Sequence, residues 1–152
     1  MRVLLYGNGS CRNHGCEAIY RGTINLLGRE NQYTLYSSNI EDDKCNGLNL
    51  VASLMPARQR PIRDLRFLRA YLRLMAKGDY LELDGLSYLP GIKQAKKNSD
   101  IALSVGGDNY CYDGTEIYGW LNRSYHNHGM KTVLWGCSIE PDIAARNNIA
   151  ED

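Results

Sequence analysis

Residues 2–28 read RVLLYGNGSCRNHGCEAIYRGTINLLG, and the pattern changes character twice along them. Arg2–Tyr6 is a short, mostly apolar run ended by Gly7, as expected of a strand buried on both faces. Residues 7–15 are polar and glycine-containing, which predicts a loop. From Cys16 the apolar residues Ile19, Ile24, Leu26 and Leu27 recur near the 3.6-residue period, Glu17 stands in the first turn, and Gly28 ends the run. Strand, loop and helix in that order are the first half of a βαβ unit.

The remainder repeats the alternation. Gln32–Ser37 reads as a strand, residues 39–49 as a polar loop, and 50–54 as a short extended piece. A helix is expected over 63–77, with Leu65, Leu68, Leu72 and Met75 as its buried stripe. Residues 79–90 carry no assignable pattern. A short helix over 92–98 leads to a strand at 100–105, which ends in Gly106 and Gly107. Residues 115–128 are helical by the spacing of Ile117, Trp120, Leu121 and Tyr125, with Gly129 as the stop. Lys131–Trp135 is the last strand, and Pro141 opens a terminal helix. Strands alternating with helices predict an α/β fold with a doubly wound parallel sheet of Rossmann-like form. Right-handed crossovers then bring the loops at 7–15, 106–113 and 136–140 to one rim, where ligands of open α/β sheets bind.

At 152 residues the chain predicts a single domain over 1–152, and 43% hydrophobic with 23% charged residues is a globular balance. The net charge of +1 supplies no global field for nucleic acid. The first apolar run is too short for a signal peptide, and no stretch reaches the ~18 apolar residues of a membrane span. The chain therefore reads as cytoplasmic. Its five cysteines, Cys11, Cys16, Cys45, Cys111 and Cys137, are odd in number and widely spaced, which suits a reducing compartment. Cys11, His14 and Cys16 lack the second ligand pair of a structural zinc site, so no metal site is expected.

Two loops could carry chemistry. Gly7, Asn8, Gly9 and Ser10 let the backbone approach a ligand closely, and the following helix start offers free amides. The loop is neither a dinucleotide fingerprint, since Arg12 stands where the third glycine belongs, nor a P-loop. Asn13, His14 and Glu17 add polar groups that turning alone does not need, and His14 is a candidate general acid or base. In the second loop Gly106, Gly107, Asp108, Asn109 and Tyr110 join carboxylate, amide and aromatic ring. That mixture suits a sugar, whose hydroxyls want acceptors and whose C–H face wants a ring. A turn capping the next helix accounts for Asp113 but not for Asp108. A third feature is basic: Arg66, Arg69, Arg73 and Lys77 step by three or four and share one helix face. A solvated face is the simplest account of it; anionic lipid headgroups or a phosphate-linked carrier are the alternatives.

Taken together and in order, LLYGNGSCRNHGCEAIYRGT at 4–23, SDIALSVGGDNYCYD at 99–113 and KTVLWGCSIEP at 131–141 resemble the amino-terminal half of the polysaccharide pyruvyl transferase family. The resemblance implies the amino-terminal domain of a two-domain, glycosyltransferase-B-like enzyme. Such an enzyme transfers pyruvate from phosphoenolpyruvate, its donor substrate, to sugar hydroxyls of a surface or capsular polysaccharide as a ketal. It further implies His14 and Asp108 as catalytic groups, with Gly7, Asn8, Gly9, Ser10, Asn13, Glu17, Gly106, Gly107, Asn109 and Tyr110 binding substrate. No separate cofactor is expected. The acceptor would be a glycan, free or lipid-linked, which would place the protein in the cytoplasm or peripherally at the inner membrane face. Arg12 is the nearest cation at the rim; the donor's phosphate contacts are expected from a carboxyl-terminal domain outside these residues, or from a homo-oligomer partner. A nucleotide-sugar glycosyltransferase half-domain and a non-catalytic glycan-binding or interaction module stay open as alternatives.

Overall fold

Side chains on the first strand, β1 (Arg2–Tyr6), point alternately into two cores: Val3 and Leu5 into one, Leu4 and Tyr6 into the other. This double burial is why its sequence is an unbroken apolar run. The computed structural model describes residues 1–146. After β1 come α1 (His14–Leu27), β2 (Gln32–Ser37), α2 (Ile40–Cys45), a 3-10 turn (Leu48–Leu50) and β3 (Ser53–Pro56). Three helices follow, α3 (Leu65–Lys77), α4 (Leu81–Leu86) and α5 (Leu89–Asn98), and then β4 (Ile101–Val105), α6 (Glu116–Asn127), β5 (Lys131–Trp135) and α7 (Pro141–Arg146). The strands form one sheet in the order β3-β2-β1-β4-β5, every neighbouring pair parallel. Helices flank it: Tyr20 and Ile24 of α1 cover one face, while Ile92 of α5 and Leu121 and Tyr125 of α6 cover the other. This is an α/β fold consistent with a Rossmann-like domain. No helix among the described residues is long and apolar enough to cross a membrane.

Three expectations change. Residues 39–49 are not a plain loop. The Asn39 side chain accepts from the Glu41 and Asp42 amides and starts α2, whose first turn is acidic. The strand expected at 50–54 begins later, at Ser53, because the 3-10 turn occupies Leu48–Leu50. The largest difference is on α3. Leu65, Leu68, Leu72 and Met75 are 83%, 52%, 58% and 69% exposed, and the side turned inward is Ala70 with Phe67, packed on Leu86 and Leu89. The helix lies on α4 rather than on the sheet, so a narrow seam is all that it buries. Residues 79–90, unassigned by pattern, form α4 and the start of α5, with Gly85 pressed against the Trp120 indole where no Cβ would fit.

Candidate functional site

The three strand-end loops meet above the carboxyl edge of β1 and β4, the point where the winding of the chain reverses. Asn109 Nδ2 donates to the Gly7 carbonyl at 2.8 Å, across 102 residues of sequence. Gly7 has φ +88°, and a Cβ there would stand 3.1 Å from the same Asn109 nitrogen. A Cβ on Gly106 would overlap the Asn109 side chain outright. Both glycines are thus explained by the room this one amide needs. The third loop joins through Ser138, whose amide donates to the Gly107 carbonyl at 2.7 Å, and Glu140, whose amide donates to Tyr110 at 3.1 Å.

Beside this junction is a pocket of about 180 Å³ with an aromatic wall. Gly7, Asn8 and Gly9 form one side of it, and Tyr6, Tyr36, Tyr88, Tyr118 and Tyr125 most of the rest. The Tyr6 and Tyr125 rings lie 4.5 Å apart. Behind them runs a buried polar chain: Tyr6 Oη donates to Asn122 Oδ1 at 2.6 Å, and Asn122 Nδ2 donates to Tyr110 Oη at 3.0 Å. Burial pushes the Tyr6 phenol well above its ordinary value, and the neighbouring Tyr110 adds to that push, so Tyr6 stays neutral and fixes the wall rather than exchanging protons. Arg58, which lines a separate hollow of about 930 Å³ with Asp84, Glu116 and Ile117, donates to Oη of the pocket residue Tyr88 at 2.8 Å and to Asp84 at 3.0 Å. Its guanidinium carbon also stands 5.3 Å from the Tyr88 ring centroid, which leaves a positive charge held over an aromatic face. Another hollow of about 720 Å³ runs along the β2–β3 edge and includes none of the loop residues.

The residues singled out by sequence divide by position. Gly7, Asn8 and Gly9 line the pocket; Asn8 is buried, and its amide donates to the Cys16 carbonyl at 2.8 Å, tying the loop to α1. Gly106, Gly107 and Asn109 build the opposing loop. Ser10 instead turns to Asp42, to which its hydroxyl donates at 2.8 Å. Asn13 is the N-cap of α1, accepting from the Gly15 amide at 2.9 Å, which is why the helix starts at His14 and not at Cys16. Tyr110 has no exposed surface and packs with Ile143 and Tyr118, so its ring belongs to the interior. His14, 87% exposed, stands on the outer rim 3.4 Å from Glu17. Glu17 also accepts from Arg21 at 2.7 Å, and these two bonds, Arg21's first, hold its carboxyl below the usual range. Asp108 is exposed at the tip of its loop.

Sequence reasoning missed the tyrosine wall and Arg58. A signal was present: Tyr6 and Tyr36 both fall at the carboxyl ends of strands, and Tyr118 and Tyr125 sit two turns apart on α6. Cys11 is fully buried, and its thiol is pushed up to about 12 by that burial and by the Asp43 carboxylate. No group of three metal-ligating side chains occurs among the described residues. No protein-family model, no curated protein and no solved structure matches the chain.

Proposed function

We propose that this chain is the acceptor-binding, amino-terminal half of a glycosyltransferase-B-like polysaccharide pyruvyl transferase. The observation that carries the reading is the junction of the 7–15 and 106–113 loops through Asn109, beside a tyrosine-walled pocket. Aromatic faces take the C–H side of a pyranose, and rim amides and carboxylates take its hydroxyls. The reaction converts phosphoenolpyruvate and a sugar diol into a cyclic ketal and inorganic phosphate. It needs a proton delivered to the enol carbon, a base for each attacking hydroxyl, and cations for the departing phosphate. His14 is assigned to the acid role and Asp108 to the base role. Arg12 is the cation carried by the first rim loop itself. The acceptor is a cytoplasmic glycan, in free or lipid-linked form.

The test follows phosphate release from phosphoenolpyruvate, with and without candidate glycans, by this chain joined to the carboxyl-terminal domain that supplies the donor contacts, as wild type and as Asp108→Asn. Acceptor-dependent release that falls at least about 100-fold in the variant, with unchanged thermal stability, supports the reading. Tight binding of a nucleotide sugar with no turnover of phosphoenolpyruvate replaces it with a nucleotide-sugar glycosyltransferase. Pyranoside binding with no turnover of either donor leaves a glycan-binding module.

A further inference from the structure

The exposed side of α3 is the least expected surface of the molecule. At about 100° per residue, Tyr71, Met75, Leu68, Leu72 and Leu65 fill an arc of about 120°. All five are 45% exposed or more. Arg69, Arg73, Arg66 and Lys77 occupy the adjoining arc of about 80°, and Ala70, Leu74 and Phe67 turn to the body of the protein over the remaining ~60°. The helix therefore has three sides: one docked on α4, one apolar and bare, one basic. Ile62, just before it, extends the bare apolar surface at 54% exposure. Seven Arg and Lys against a single acid, Asp64, give residues 57–78 a net charge of +6 in a chain whose total is +1. Arg58 pairs with Asp84, Arg66 with Asp64, and Arg73 with Asp79 and Glu82. Arg60, Arg63, Arg69 and Lys77 form no ion pair among the described residues.

We propose that α3 docks this protein on an anionic lipid bilayer. The leucine and methionine arc enters the boundary between headgroups and acyl chains, and the adjoining cations meet lipid phosphates. Tyr71 lies at the border of the apolar arc, where an amphipathic ring is suited to the headgroup level. Charge decides the occupant. A polyanionic surface answers the four cations left without an ion pair among the described residues, and a bilayer also covers the leucines, which a nucleic acid would leave in water. The proposal stands whether or not the chain transfers pyruvate.

The experiment is flotation of the protein with phosphatidylcholine vesicles and with phosphatidylcholine–phosphatidylglycerol vesicles, at low and high salt. The expected result is binding to the anionic vesicles alone, weakened by salt. Leu65→Asp/Leu72→Asp abolishes it, and Arg69→Gln/Lys77→Gln lowers affinity by about 30-fold. All four positions are exposed, so unchanged circular dichroism and melting separate lost docking from lost folding. The proposal is overturned by absence of binding to anionic vesicles or by leucine variants that bind as the wild type does. It is equally overturned by RNA binding without vesicle binding, or by sedimentation showing a dimer that Leu65→Asp/Leu72→Asp dissociates.

Discussion

Asn109→Ala removes one hydrogen bond and, with it, the link between two loops that have no neighbouring sequence in common. The bond is 2.8 Å long and partly buried, and the Gly7 carbonyl left behind sits beside a glycine pair shaped around the lost amide. An unmade hydrogen bond at such a site costs about 1–2 kcal/mol, more than its net contribution when formed, because the carbonyl remains desolvated. For a chain of this length that corresponds to a fall of about 2–8 °C in melting temperature. Asp108→Ala, one residue away and exposed, should change stability by less than about 0.5 kcal/mol. Urea denaturation read by tyrosine and tryptophan fluorescence measures both variants, and amide exchange at Gly7, Gly9 and Gly107 reports the loops themselves. Asn109→Ala should speed exchange on both loops at once. Equal stability of the two variants, or faster exchange confined to the 106–113 loop, would show that the loops are held by something other than this bond.

Asp43 holds α2 against the rim, accepting from the Cys11 amide at 2.9 Å and from Ser37 Oγ at 2.5 Å with no exposed surface of its own. Asp43→Ala should cost about 3 kcal/mol or more, with Asp43→Asn retaining part of it, and a urea midpoint within error of wild type would remove Asp43 from the core. Acid should destabilise the protein. Glu17, Asp64 and Asp100 are each held below the usual carboxylate range, first by hydrogen bonds from Arg21, Arg66 and Arg2 respectively. Depressed folded-state values mean that their contribution is complete above the unfolded carboxylate range and is lost as pH falls through the folded values. Melting temperature should be level above about pH 5 and drop below about pH 4; a rise on acidification would contradict these assignments.

Local pattern determined the strands other than β3, whose start the 3-10 turn at Leu48–Leu50 moves to Ser53. β1, β2 and β5 have the bounds expected of them: β1 is apolar from Val3 to Tyr6 because both its faces are buried, β2 alternates with polar residues, the edge strand β5 is partly exposed, and each stops where a polar or glycine residue follows. From the alternation of strands with helices the parallel sheet follows, and from the sheet the shared rim. The ends of α1, α3 and α6 were legible to within two residues, with the Asn13 cap accounting for the earlier start of α1, whereas α2, which Asn39 caps, and the first turn of α5 from Leu89 were not. Tertiary structure decided the rest. Periodicity showed that α3 has an apolar side but not that its neighbour would be α4, so the stripe expected inside lies outside. The tyrosines of the pocket come from both strands and helices, and Asn109 finds Gly7 only once β1 and β4 lie side by side. The physical reason is that a sequence states the chemistry of each face over a few residues, whereas the partner covering that face is chosen by contacts between segments far apart in the chain.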